Sequence, residues 1–429
     1  MREMNNTGIE WCPSIPMNWE MRRVKELFYI SKEKAGIKNP TVLKLARSGI
    51  QVKDVTINEG QMAESYDDYN PVHIGDLLLN PMDLYSGANC NVSKVEGVIS
   101  PAYVNLRAKS QLNPYYFDYY FKVQYWAMAM FAHGKGVSYD NRWTINAEGV
   151  KNYEVPFPTV EEQNAIVSII QRKCTQIDAL ISNAQQQIEK LKAYKQNVIT
   201  ETVTKGLDPD VAMKDSGYDF IGMIPASWEI CKLRHIGTPQ NGISKGGEFF
   251  GTGFPFVSYG DIYKNFTLPE AVDGLVNTTE TERKQYSVER GDIFFTRTSE
   301  TIEEVGFSCV CEKTISDATF AGFVIRVRPF NDKLLTGFAK YYFRSSHHRF
   351  YLVKEMNLVT RASLSQGLLK SMPVLVPTKE EQQEISDYLD HKCSQIDKLI
   401  ALKQQKIEKL QQYKKSLIYE YVAGKKGVE

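Results

Sequence analysis

The sequence predicts a mixed α+β protein written twice: two globular units of strands and helices separated by a long antiparallel two-helix coiled coil, related as a pseudo-twofold internal repeat. Three observations predict this. KCTQIDALI at 173–181 returns as KCSQIDKLI at 392–400, and the match extends without gaps from Pro158 to Val203 against Pro377 to Val422, at an offset of 219 and with about half the positions identical. SIPMNWE at 14–20 is echoed by MIPASWE at 223–229, at an offset of 209. Gly75-Asp76 in HIGDLLLN pairs with Gly291-Asp292 in ERGDIFFT, at an offset of 216. The shifting offset places the length differences inside the globular parts. The expected layout is a first globular domain over 1–157, a long helix over 158–205, a linker and second globular domain over 206–376, and a second long helix with a tail over 377–429.

Each long helix has a start signal. A proline precedes Thr159-Val160-Glu161-Glu162 and Thr378-Lys379-Glu380-Glu381, both of which read as capping boxes. Apolar residues then recur at Ile177, Ile181, Ala184, Ile188, Leu191, Tyr194 and Val198, and at Ile396, Ile400, Ile407, Leu410, Tyr413 and Leu417, with Lys403 interrupting the second series. Steps of three and four make a heptad seam. A helix of this length runs about 66 Å at ~1.5 Å per residue. The connection TKGLDPDVAMKD at 204–215 spans at most ~40 Å. An antiparallel pair needs no return along the helix, so antiparallel pairing is expected.

The globular parts are rich in strands and turns. TVLKLA, VHIGDLLL and VISPAYVNLRA in the first, and GFPFVSYGDI, RGDIFFTRT and FAGFVIRVRP in the second, read as strands. PYYFDYYFKVQYWAMAMF and TGFAKYYFRSSHHRFYLV read as aromatic helices, and EVPFP and MPVLVP as closing strands.

Composition excludes little but directs the search. Hydrophobic residues make 42% and charged residues 24% of the chain, with a formal net charge of +1. These values suit an ordinary soluble protein and do not announce a nucleic-acid binder. The longest apolar stretch, YWAMAMFA at 125–132, is too short to span a membrane, and MREMNNTG has no apolar core for secretion. Seven scattered cysteines fit a reducing cytosol, so a cytoplasmic location is expected. Cys309 and Cys311 share a strand face without nearby ligands, and the pair His347-His348 reads as a surface pair.

The two globular parts have diverged while the helices have not. The helix match includes positions off the seam: Lys173, Gln176, Asp178, Glu189 and Lys190, repeated as Lys392, Gln395, Asp397, Glu408 and Lys409. A partner met twice by the same surface explains this, with the globular parts reading different targets.

DSGYDFIGMIPASWE at 215–229, TGIEWCPSIPMNWE at 7–20, and PTKEEQQEI followed by QID-x-LI resemble phrases of the specificity subunit of a type I restriction-modification system. The resemblance covers essentially the whole chain. It implies that each globular domain reads one half of a bipartite double-stranded DNA target and that the helices fix the unread gap. It also implies that two copies of the modification methyltransferase dock on this chain, and the restriction/translocase subunits through them. S-adenosylmethionine, ATP and Mg then belong to partner subunits, and this chain binds no cofactor.

DNA contacts are expected from loops presenting cations, amides and hydroxyls. In the first domain these give Lys44, Arg47, Ser48, Asn80, Tyr85, Lys135, Ser138, Asn141, Arg142 and Thr144. In the second they give Asn241, Lys245, Tyr259, Thr296, Arg297, Thr298, Ser299, Thr360, Arg361 and Ser363. Arg142 and Arg361 align at the helix offset of 219. A solvated or salt-bridged arginine is the competing reading of each.

Two other functions stay open. One is an adenine methyltransferase with its own recognition domain, because Asn80-Pro81-Met82-Asp83 and Asn113-Pro114-Tyr115-Tyr116 partly match an Asn-Pro-Pro-Tyr loop. Neither has the second proline. Phe250-Gly251-Thr252-Gly253 lacks the strand–turn–helix setting of a cofactor loop, and no nucleotide-binding, catalytic or metal constellation is evident. The other is a structural scaffold, which leaves the divergence of the globular parts unexplained.

Overall fold

The computed structural model describes residues 2–56, 63, 65–86, 89–136, 143–299, 305–355 and 362–428. The chain divides into two compact units, Met1–Ala184 with Gln405–Glu429, and Gln185–Gln404. Both long helices form, as Val160–Lys205 and Lys379–Val422, so each contributes one half to each unit.

Within each unit the helix halves run antiparallel. In the second unit Lys195 pairs with Asp397 at 2.7 Å while Lys403 reaches Gln187 at 2.6 Å, so one number rises as the other falls. In the first unit Asp178 pairs with Lys414 at 2.7 Å. Ile177, Ala184, Ile188, Ile396 and Ile407 are buried along the seam. The structure corrects the seam at one step. Tyr194 and Tyr413 stand 48% and 51% exposed, and the following lysines lie inward. Lysine fits there because its stem covers apolar surface while the ammonium reaches an aspartate.

The two units repeat one sheet. In the first, the strand order is Phe28–Ser31, Val104–Ala108, Leu77–Leu79, Cys90–Val92, all antiparallel. In the second it is Gly237–Asn241, Val324–Pro329, Ile293–Thr296, Ser308–Val310, also antiparallel. The Gly-Asp pair enters the third of these strands in both. Gly75 and Gly291 take φ of 92° and 94°, a region that suits glycine. The aspartate then folds back: Asp76 accepts from the His73 amide at 2.9 Å, and Asp292 from the Glu289 amide at 2.8 Å. Each aspartate is buried and carries an arginine from the neighbouring strand, Arg107 at 3.0 Å and Arg328 at 2.6 Å.

A tryptophan joins sheet and helices. The Trp19 indole donates to Glu162 at 2.9 Å, and Trp228 to Glu381 at 3.2 Å, each at the start of a long helix. The glycine that follows the other helix packs on the same ring, Gly424 against Trp19 and Gly206 against Trp228. The second helix has the full capping box, with Glu381 accepting from the Thr378 amide at 3.1 Å. Glu162 instead serves Trp19 and Arg2.

The aromatic helices are core. Tyr116, Phe117, Tyr120 and Phe121 are buried on Pro114–Trp126, with Asn113 as its N-cap. The second aromatic segment breaks into Thr336–Tyr342 and Ser346–Glu355. Between them Arg344 donates to the carbonyls of Ser308, Ile262 and Asn265 at 2.5, 2.9 and 2.6 Å. Burial brings its guanidinium down to about 10. His348 is buried and hydrogen-bonded to Ser345 at 2.8 Å, which corrects the expectation of a surface pair. Phe250-Gly251-Thr252-Gly253 lies in the bulged strand Phe250–Val257. No described helix is long and apolar enough to cross a membrane.

Candidate nucleic-acid interface

In the second unit three separate loops converge on one turn, and a fourth joins them through Arg297. Ala321 accepts from the Val324 amide at 3.0 Å, which closes the turn. The loop after strand Gly237–Asn241 meets it through the Gly242 amide, which donates to Val324 at 3.2 Å. Val257, beside Ser258 and Tyr259, accepts from the Ala321 amide at 3.0 Å. The Arg297 amide donates to Phe323 at 2.9 Å, and the Leu364 amide donates to Arg297 at 2.8 Å. Thr298 pairs with Ser363 and Ser299 with Ala362 in a short antiparallel ladder. Segments 241–245, 258–259, 296–299 and 362–363 therefore share one edge.

The side chains on that edge differ in what they offer. Arg297 is half-buried, and its guanidinium touches the Gly322 carbonyl at 3.4 Å. Thr298 is half-buried and Ser363 exposed. Tyr259 is half-buried and stacks on Tyr263 at 6.1 Å. Lys245 is drawn into an ion pair with Glu282 at 2.7 Å. The Asn241 side-chain oxygen is buried without a hydrogen-bond partner. Thr296 is fully buried, and its hydroxyl accepts from the Phe307 amide at 2.9 Å, so this residue holds the strand and is withdrawn from the surface.

The first unit brings its loops together by the same bond. The Ile145 amide donates to Pro81 at 3.0 Å, as the Leu364 amide does to Arg297. The Leu84 amide also donates to Trp143 at 3.0 Å, and Lys135 and Thr144 exchange amide bonds at 2.8 and 3.0 Å. Asn80 caps its own loop by accepting from the Met82 amide at 3.0 Å, and Tyr85 stands 56% exposed. A two-residue hairpin between strands Leu43–Ala46 and Gly49–Val52 carries Arg47 and Ser48 at its tip, with Lys44 exposed on its arm. Gln51 donates to Ser48 at 3.0 Å. Gly49 lies against Asn91, so the hairpin packs beside the edge strand Cys90–Val92, the neighbour of the strand that leads into Asn80. Ser138, Asn141, Arg142, Thr360 and Arg361 lie outside the described residues.

The repeated helix residues separate into two groups. Asp178 and Asp397 are committed to lysines of the paired helix, which explains their repetition by the coiled coil itself. Lys392 sits 5.8 Å over the Tyr194 ring, Glu189 pairs with Lys192 at 2.9 Å, and Gln395 with His391 at 2.8 Å. Lys173 is half-buried, and Gln176, Lys190, Glu408 and Lys409 are exposed. The sequence reading passed over Leu180 and Leu399, the leucine of QID-x-LI in each copy. Both are 48% exposed. Their signal was present, because an apolar residue repeated off the seam has no packing reason to recur.

Among the described residues no group of three or more His, Cys, Asp or Glu could hold a metal ion. Burial pushes the Cys309 thiol up to about 12 and those of Cys12 and Cys311 up to about 11, which disfavours the nucleophilic thiolate at these three.

Residues 225–412 match the family model described as type I restriction modification DNA specificity domain. Over 96% of its length the chain is 23% identical to the type I restriction enzyme MjaVIII specificity subunit of Methanocaldococcus jannaschii, of which it covers 93%. Over nearly its whole length, then, the chain is similar to specificity subunits of type I restriction enzymes. A second relative, the StySPI specificity subunit of Salmonella potsdam, is 22% identical over 71% of this chain and 61% of its own length. The fold agrees with solved specificity-subunit structures. A chain from a structure describing complex assembly and conformational transition of a type I system matches with a TM-score of 0.71 at 15% identity, covering 95% of this chain and 98% of that one. The HsdS subunit of Thermoanaerobacter tengcongensis matches with a TM-score of 0.52 at 16% identity, covering 96% and 98%.

Proposed function

We propose that this chain is the specificity subunit of a type I restriction-modification system, a non-catalytic DNA reader working in the cytoplasm, each unit recognising one half of a bipartite duplex target. The observation that carries this is one scaffold used twice with different surfaces. The sheet order, Gly-Asp turn and loop-closing bond are the same in both units, while the side chains on the loop edge differ. A scaffold selected only for stability has no reason to diverge at that edge. Phosphate contacts would come from Lys44, Arg47 and Lys135, and base contacts from Asn80, Arg297, Thr298 and Ser363. Arg142 and Arg361, which align at the helix offset of 219, are proposed as contacts on the sequence alone.

The helices serve as the dock for two methyltransferase copies, through which restriction subunits join. Leu180 with Tyr413 in one unit, and Leu399 with Tyr194 in the other, are exposed apolar residues repeated with the helices. Large exposed apolar groups in matched positions suit a protein partner. S-adenosylmethionine, ATP and Mg are assigned to the partner subunits.

The test is co-expression with a type I methyltransferase and mapping of methylated adenines. A bipartite motif, with each half altered by exchanging one unit, is the expected result. Methylation of DNA by the purified chain with cofactor alone, or a single uninterrupted target, would overturn the proposal.

A further inference from the structure

The turn that organises the reading edge of the second unit carries Phe323 at its tip, 64% exposed. Leaving a phenyl ring in water forgoes about 1.5–3 kcal/mol of burial, so its presence there calls for a reason. The fold supplies none. The same turn closes in the first unit, where the Tyr103 amide donates to Ser100 at 3.0 Å. Strand register makes Ala102 the counterpart of Phe323, because Leu106 pairs with Leu77 as Val327 pairs with Ile293. A methyl group is enough for the turn. The aromatic belongs to the surface of the second unit alone.

The mount is rigid. The turn is tied by backbone bonds to Gly242, Val257 and Arg297 at 3.2, 3.0 and 2.9 Å. Gly322 permits the close approach of the neighbouring loop, since a Cβ there would lie 2.3 Å from the Ser244 hydroxyl. The Arg297 guanidinium reaches the carbonyl of Gly322, the residue before Phe323, so a cation is held on the same turn. Thr298 and Ser363 follow on the adjoining ladder. An apolar tip among hydrogen-bonding groups suits a base edge that is itself partly apolar. In the major groove one base offers that: thymine, through its 5-methyl group.

We propose that Phe323 is a base-reading residue of the second unit, placing its ring against a thymine 5-methyl group beside the base contacted by Arg297. This rests on the DNA-reading function proposed above. The contact forms no hydrogen bond, so its discrimination comes from one methyl group removed from water, worth roughly fourfold in affinity.

The experiment uses the assembled complex and its mapped target. Each thymine in the half-site read by the second unit is replaced in turn by uracil, which lacks only the methyl group. Binding is measured for the unaltered protein, Phe323→Ala and Phe323→Leu at one salt concentration. One uracil position should weaken the unaltered complex roughly fourfold. Phe323→Ala should bind thymine and uracil alike there, yet keep its preferences in the other half-site, and Phe323→Leu should retain part of the difference. Indifference of the unaltered complex to every uracil, a half-site without thymine, or a thymine preference that survives in Phe323→Ala would overturn the inference while leaving half-site reading intact. A complex binding all duplexes equally would instead remove the parent reading, and this one with it.

Discussion

The two units hold their sheets alike and dress their edges differently. Pro81 and Arg297 occupy the same bonded position in the two units, one inert and one cationic. Ala102 and Phe323 share the tip of the same turn. The first unit adds a hairpin bearing Arg47, while the second adds strand Phe250–Val257, which pairs on both sides with Leu275–Val276 and Thr319–Phe320. Divergence is therefore confined to what the sheet displays. Retained between the units are the groups with buried partners: the Gly-Asp turn with its arginine, and the tryptophan with its glutamate.

That contrast can be broken most forcefully at the clamp. Trp19→Ala and Trp228→Ala should each cost about 3–5 kcal/mol, the range for removing a large buried ring. Hydrogen exchange on the whole chain should show the first loosening helix residues near 162 and 424, and the second those near 206 and 381. Loosening of the same residues by both variants would contradict two separate clamps.

At the reading edges the effect should be smaller and one-sided. Arg297→Ala should reduce discrimination in one half-site by about 1–3 kcal/mol, with the other half unchanged. Pro81→Ala in the first unit should leave discrimination in both halves as it was. Binding of the assembled complex to duplexes altered in either half measures both.

Acid should separate the units more gently. Burial lowers the His348 imidazole from 6.5 to about 3, so the folded second unit refuses a proton that the unfolded chain accepts. The stability tied to a neutral His348 is complete above about pH 6.5. It falls by up to ~1.4 kcal/mol per pH unit as the pH drops from there towards 3. Chemical denaturation from pH 7 to 5 should show this slope, and His348→Gln should flatten it.

The smallest effect is expected at the repeated ion pairs. Lys195→Ala and Lys414→Ala should each cost under about 1 kcal/mol, because their aspartates are 55% exposed and salt screens them. A thermal shift well above that in either variant would mean the pairs set helix register and do more than decorate it.

The repeat was legible because helical period and capping survive in sequence. Ile177 and Ile396, Thr159 and Thr378, Trp19 and Trp228 all recur at matched positions. The sheet equivalence was legible only at Gly75-Asp76 and Gly291-Asp292, where backbone conformation and a buried carboxylate restrict the residue. Elsewhere strands accept any apolar residue of fitting size, so Leu77 and Ile293 align only once pairing is seen. Loop positions were harder. Nothing in TRTS distinguishes the buried Thr296 from Thr298, because both hydroxyls bond well and only the strand decides which faces inward. Phe323 had no signal, since its counterpart is an alanine.

One feature of the helices bears on how the molecule is made. The core of the first unit contains Leu417, Ile418, Tyr421 and Val422, and the Tyr116 hydroxyl donates to the Val422 carbonyl at 2.9 Å across 306 residues of chain. The second unit is complete in sequence by residue 404. During synthesis the usual order of domain maturation therefore reverses. The stretch 185–404 has every residue it needs first, while 1–184 waits with an open apolar groove until residues beyond 405 emerge. For that interval the nascent chain exposes the surface most prone to mispairing with a neighbour, and the second long helix is the piece that closes it.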